Sequence, residues 1–248
     1  MKSLAALCPA GAPTAITLGG EATWTAGSYT DTGTIALDAG AGGRSRVDLE
    51  LAGGSRVSVR APLNSHAGSP PGGAEQATGR LASAVGAEGA ADGAVHKLRL
   101  GDAWRPAAWF FPALELTVAL APGYQLADLG TSDVDGVPAA HLRLTRAVPG
   151  QTPAMTAELA QLSQADYYLD PATLLPRALR FLRHPTGAVN SGEPVEIRYS
   201  DWRQVQGVKV PYHIERWVNG TLQLAVTVTS VEINPALAAE RFQLQGAQ

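Results

Sequence analysis

The sequence predicts a mainly β, antiparallel fold, and three observations carry that prediction. Apolar and polar residues alternate with a period of two in one segment after another. Glycine (27 residues) and proline (17 residues) are frequent, which fits many short elements joined by turns. The 248 residues contain no long charged or low-complexity linker, and one large β sandwich or barrel can use that whole length. The expected organisation is a short N-terminal segment, 1–13, followed by a single β domain, 14–248.

The elements follow in order. Met1-Lys2 before Leu4, Ala5, Ala6 and Leu7 has the flavour of a secretory signal with too short an apolar core. Residues 1–13 are therefore expected to be the remnant of an export signal or a disordered start. Leu7 occupies the place where a lipoprotein signal needs a small residue before Cys8. Ile16, Leu18, Ala22 and Trp24 then share one parity, as do Ile35 and Leu37, Val47, Leu49 and Leu51, and Val57 and Val59. Gly-rich joins at Gly40 to Gly43 and Gly53-Gly54 make this an antiparallel meander with one wet face. Placing Leu49 and Val57 on one face requires an odd loop at Gly53-Gly54, with a bulge. Ala74 to Val85 offers a weak, Ala-rich helix inside a Pro/Gly-rich excursion over 61–94, and long excursions of this kind often act as lids. Leu98 and Leu100 mark a short strand. Trp104, Trp109, Phe110, Phe111, Leu114 and Leu116 form the densest aromatic and apolar run in a chain with only 6% aromatics.

Later strands are sharper. A turn at Asp133 to Gly136 leads to Ala140, Leu142 and Leu144 alternating with His141 and Arg143. Ala154 to Gln164 has helical spacing. Strands are expected at Tyr167 to Leu169, Arg177 to Arg183, around Val195 to Tyr199, and from Val208 to Ile214. Asn219-Gly220 is a hairpin signal. Uniting Val210, Tyr212, Ile214, Leu222, Leu224, Val226 and Val228 on one face there requires a three-residue loop with a glycine bulge. The resulting apolar sheet surface needs a helix, a second sheet or a ligand to cover it.

Composition and motifs exclude several functions. A net charge of −3 with 17% charged residues gives no basic excess for nucleic acid. No stretch approaches the roughly 18 apolar residues of a transmembrane helix. Cys8 is the sole cysteine, so no intrachain disulfide and no cysteine-built zinc site is available. The histidines, His66, His96, His141, His184 and His213, show no i,i+4 pair, and there is no HExxH, GxSxG, phosphate loop or GxGxxG. Asp133 and Asp135 read as turn aspartates. Asp201-Trp202-Arg203 reads as a strand-end charge pair. The sequon Asn219-Gly220-Thr221 serves the hairpin. No cofactor is expected.

A succession of short units resembles the LolA/LolB/LppX superfamily of outer-membrane lipoprotein-sorting-like proteins. The opening strands Leu18 to Thr25, Thr34 to Leu37, Arg46 to Leu51 and Ser55 to Arg60 resemble its meander. Val134-Asp135-Gly136-Val137-Pro138 precedes a His141 to Leu144 strand, and Tyr168-Leu169-Asp170 precedes Leu175-Pro176. Tyr199-Ser200-Asp201-Trp202, Gly207 to Pro211 and Val231 to Pro235 follow in the same order, and the resemblance spans most of 16–244. It implies a strongly curved antiparallel sheet forming an incomplete barrel, with short helices or loops as a lid. It also implies a concave side that binds lipids or lipoprotein acyl chains without catalysis.

The expectation is therefore a non-catalytic binding protein of the bacterial periplasm or cell envelope. It holds a lipid or lipoprotein acyl chain against walls made by Trp24, Trp104, Trp109, Phe110, Phe111, Leu114, Tyr212, Leu224 and Val226. One alternative is an envelope interaction or scaffold protein with a packed core and a protein partner. The other is a hydrolase-type enzyme, which needs a cleft gathering some of His141, His213, Asp201 and Glu215.

Overall fold

The computed structural model describes residues 2–40, 43–62, 84–89, 95–97, 106–147, 150–184 and 192–242. Thirteen strands are described: β1 (Ala15–Ala26), β2 (Tyr29–Gly40), β3 (Arg44–Leu51), β4 (Gly54–Pro62), β5 (Ala84–Gly89), β6 (Val95–Lys97), β7 (Tyr124–Val134), β8 (Val137–Arg146), β9 (Ala165–Leu169), β10 (Pro176–Arg183), β11 (Glu193–Val205), β12 (Val208–Val218) and β13 (Thr221–Ile233). Helices α1 (Lys2–Leu7), α2 (Pro112–Val118) and α3 (Pro153–Ser163) join them, with a 3-10 turn at Ala239–Phe242. The strands make one open, curved antiparallel sheet in the order β6-β5-β4-β3-β2-β1-β13-β12-β11-β10-β9-β8-β7. Two meanders meet where β1 pairs with β13, so the chain's two halves form two arms. The outermost described strands, β6 and β7, are not paired to each other. The fold class expected from the sequence is the one observed.

Tight turns set most of the registers. Asp135-Gly136, Gln206-Gly207 and Asn219-Gly220 each place both residues at positive φ (54° and 77°, 48° and 82°, 50° and 73°). Those are the angles of the hairpin turn whose twist matches the flanking strands. The Asn219-Gly220 loop thus has two residues rather than the expected three. The bulge lies further in, between Arg216 and Trp217, and moves the pairing so that Ile214 faces Val226 and Arg216 faces Leu224. One apolar face is recovered for most of that hairpin by a different device.

The first meander departs further. β3 and β4 pair without a bulge, Leu49 with Arg56, Val47 with Ser58 and Ser45 with Arg60. The loop is Ala52-Gly53, and the odd loop expected at Gly53-Gly54 is not formed. Directly paired residues share a face, so Arg56, Ser58 and Arg60 stand beside Leu49 and Val47. Val57 and Val59 stand with Asp48 and Arg46 on the other side. The 3-10 turn packs on that outer side: Arg241 donates to Asp38 and Asp48 at 2.7 Å each, and Phe242 and Val59 are buried.

The inner face carries the main core. Successive rows run Ile16–Ala39–Ser45 and Leu18–Leu37–Val47 across β1, β2 and β3. On the other arm, Leu224, Ile197, Leu179 and Tyr167 are buried in the same cluster. Two segments pack on this face. The first is α1, which contacts α2 and β12. Its Leu7 is fully buried and Cys8 nearly so. Leu4, Leu7 and Cys8 form an apolar stripe at helical spacing on this first segment. The second segment is 106–116, where Phe110 and Phe111 are fully buried and Pro112 opens α2. α3 forms where helical spacing placed it. Thr152 caps it through Met155 N at 3.3 Å, and it packs on β8.

Of the helix expected over Ala74 to Val85, only Ala84 and Val85 are described, and they open strand β5. Trp104, Leu98 and Leu100 lie outside the described residues, as does most of the excursion over 61–94.

Candidate functional site

A cavity of about 330 Å³ opens between the two arms on the inner face. From the first arm, Val47, Leu49, Arg56, Ser58 and Arg60 line it. Trp24 stands where β1 meets β13, opposite Leu224. From the second arm come Phe181, Arg183, Val195, Arg216 and Val218, while Ala107 and Trp109 cover it. The volume sits at the small end of ligand pockets, roughly 300–1,000 Å³.

Three of the nine expected wall residues line this cavity: Trp24, Trp109 and Leu224. Phe110, Phe111, Leu114 and Val226 are packed into the core around it, with exposures of 3% or less. Tyr212 packs against the core edge, its ring under Arg203 at 4.1 Å. Trp104 lies outside the described residues.

Four arginines line the cavity, and parity reading missed them. Arg56 lies 5.1 Å from the Trp24 ring and Arg216 lies 5.4 Å from it. Arg216 also lies 5.7 Å from Trp109 and donates to Gln223 Oε1 at 2.7 Å. Arg183 pairs with Glu193. Arg60, 7% exposed, reaches the carbonyl of Pro106 at 3.5 Å. Behind the cover sits Glu115, which accepts a hydrogen bond from the Ala108 backbone. Burial pushes its carboxyl above the usual range, against the pull of that hydrogen bond and of Arg60. Tyr199 donates to Trp109 O at 2.5 Å, which fixes the aromatic segment over the cavity. The Trp24 indole N–H is buried and has no acceptor among the described residues.

A second, larger hollow of about 460 Å³ lies between α3 and β10–β12. Its charges are matched internally: Arg180 to Glu196 at 2.7 Å, Arg198 to Glu196 at 2.5 Å and to Asp135 at 3.1 Å. It reads as a solvated groove.

Of the four residues named for an enzyme reading, His213, Glu215 and Asp201 are neighbours on the β11–β12 pair, where the Arg203 hydrogen bond and the charge of His213 help hold the Asp201 carboxyl down, and His141 stands apart on β8. His213 meets Glu215 at 3.4 Å, and Asp201 pairs with Arg203 at 2.6 Å. His141 has other neighbours: Ser132 Oγ is 3.1 Å from Nδ1, and Asp166 Oδ1 is 2.9 Å from Nε2. These side chains come from β7, β8 and β9, and Asp166 also accepts two hydrogen bonds from Arg143 and one from Gln164. Burial pushes its carboxyl up, but those hydrogen bonds outweigh it and hold the carboxyl below its usual value. His141 stacks on Tyr168, and Arg180 stacks on the same tyrosine at 4.7 Å. Asp166 is thus the centre of a cross-strand polar cluster. Among the described residues, no group of three or more His, Cys, Asp or Glu is arranged to hold a metal.

The fold is similar to that of solved structures. A putative outer membrane lipoprotein-sorting protein domain from Vibrio parahaemolyticus aligns at TM-score 0.51 and 9% identity, over 92% of this chain and 88% of that one. A LolA superfamily protein from Nitrosomonas europaea aligns at TM-score 0.51 and 11% identity, over 98% and 96%. The fold is LolA-like. A DUF1329 family protein from Desulfovibrio piger aligns at TM-score 0.54 and 11% identity, over 95% and 92%. No protein-family model matches the sequence, and no curated protein matches it. Identities this low speak to the LolA-like fold alone.

Proposed function

We propose that this chain is a non-catalytic binding protein of the bacterial periplasm or cell envelope. It holds a lipid or lipoprotein acyl chain on the inner face of its half-barrel, with 14–248 as one domain. The observation that carries this reading is the cavity between the arms, walled by Trp24, Val47, Leu49, Trp109 and Leu224. Each acyl CH2 removed from water contributes about 0.8 kcal/mol, so even part of a chain gives useful affinity. Native mass spectrometry of detergent-free protein, followed by solvent extraction, tests it. A discrete bound lipid, or saturable uptake of a fluorescent fatty acid, is expected. Clean protein that takes up no fatty acid refutes it.

A second reading, an envelope interaction protein, has its own support. Strand β7 is an edge that pairs only with β8 among the described residues, and it exposes Leu126 and Leu129. An edge of this kind accepts a strand from a partner. Crosslinking from β7 in cell envelopes, with a discrete adduct, favours this reading.

A further inference from the structure

We propose that the ligand of the inner cavity is an anionic amphiphile. Arg56 and Arg216 grip its negatively charged head beside Trp24, and its tail lies along Val47, Leu49 and Leu224. The inference rests on the holding function proposed above and names the class of molecule held. Three observations lead to it. First, the described lining contains four arginines and no aspartate or glutamate, in a chain whose net charge is −3. Arg183 pairs with Glu193, Arg60 reaches the Pro106 carbonyl, and Arg216 donates to Gln223. Arg56 and Arg216 are the two guanidiniums that share one indole, at 5.1 and 5.4 Å. Second, the Trp24 indole N–H beside them has no acceptor among the described residues. A phosphate or carboxylate oxygen supplies the acceptor that a hydrocarbon cannot. Third, the apolar residues form one continuous wall from this cluster. Leu49 is paired with Arg56, and Leu224 with both Arg216 and Trp24. Head and tail subsites are therefore adjacent, as one amphiphile requires.

A cavity built for a bare acyl chain gains nothing from guanidiniums. Their desolvation against an apolar tail opposes binding, whereas an anion in the same place turns that cost into charge-assisted hydrogen bonds. Arg56 stands at the mouth, exposed, and Arg216 lies deeper between the two tryptophans. The head enters last and remains near solvent while the tail points inward.

Isothermal titration calorimetry with palmitoyl lysophosphatidic acid, monopalmitoylglycerol and inorganic phosphate tests the proposal, because the first two share a tail and differ in head charge. The expected result is binding of the lysophosphatidic acid about tenfold or more tighter than the neutral glycerol ester, with the gap narrowing as salt rises. Arg56→Gln and Arg216→Gln should each shrink that gap, while Arg56→Lys and Arg216→Lys should restore most of it. Thermal unfolding of each variant checks that the sheet is intact. Equal affinity for the two amphiphiles overturns the head assignment and leaves the acyl-holding function standing. Failure of both to bind overturns that function and the inference with it. Inorganic phosphate binding as tightly as the amphiphile overturns the tail subsite and makes this a simple anion site.

Discussion

Phe110→Ala separates a fixed core from a removable plug. Phe110 has no exposed surface, meets Trp109 edge-on with ring centroids 5.5 Å apart, and lies in the segment tied down by Tyr199. If 106–116 is permanent core, truncation removes buried aromatic area and leaves a void. That costs about 3–5 kcal/mol. For a chain of this size each kcal/mol moves the melting temperature by about 2–4 °C, so the expected loss is about 6–20 °C. If the segment instead swings out to admit a ligand, its packing is marginal and the loss is a degree or two. Circular dichroism melts of wild type and variant, with and without a fluorescent fatty acid, decide. A melting temperature lowered by less than about 3 °C, together with tighter fatty-acid uptake, refutes the core assignment. It would also enlarge the site to include Phe110, Phe111 and Leu114. A large loss with unchanged uptake confines the site to the 330 Å³ cavity.

Four further outcomes are expected. Gly33→Ala places a Cβ 1.8 Å from Glu50 O, inside the β2–β3 ladder. The strands must part, and a loss of about 1–3 kcal/mol should appear in chemical denaturation. Asp166 has a folded pKa below its unfolded value, so its ion-pair ladder stabilises above the unfolded pKa and is lost as pH falls through the folded one. Asp166→Asn should therefore lower the melting temperature at pH 7, with the gap to wild type closing in acid. Arg241→Ala leaves Asp38, 2% exposed, with Thr17 as its remaining donor and unpins Phe242. About 2 kcal/mol of lost stability is expected by urea unfolding. Burial pushes the Cys8 thiol up to about 11, so it should resist Ellman's reagent at pH 8 in the native state and react fully in denaturant.

Most strands were legible because period-two alternation and Asn-Gly, Asp-Gly and Gln-Gly turns are local signals, whereas β5, β6 and β7 and the pairing of β1 with β13 were not. The fold class followed from them together with the order of short motifs. The cavity's chemistry was not legible, and the reason is specific. Reading Val57 and Val59 as inward assumed that apolar residues face the core. Their partner face is instead closed by the C-terminal turn, with Phe242 and Arg241 over β3 and β4. A turn at Ala52-Gly53 was the missing alternative. It puts Arg56 beside Leu49 at once, and the register of the whole hairpin follows. Ser132 and Asp166 went unnoticed for a different reason: they meet His141 across strands, 9 and 25 residues away in sequence, with no local motif to mark them. Trp24 and Leu224 were found because an aromatic or a leucine at an inward parity is informative on its own, and Trp109 because it lies in the densest aromatic run of the chain.

The placement of charge favours the inner cavity over the larger hollow as the proposed ligand site. The larger one, beside α3, is lined by Asp166, Glu196, Arg180 and Arg198, each bonded to an opposite charge of its own sheet. Such a ladder is satisfied without a visitor, and a ligand there must break existing pairs before making new ones. In the inner cavity the described lining is of one sign, it stands on an apolar wall, and an indole donor between two guanidiniums has no acceptor. A fold optimised for stability alone favours hydrophobic residues at the two arginine positions. Arginines kept on the core face of a sheet, beside leucines that already fill the neighbouring rows, cost stability that the proposed anion would return.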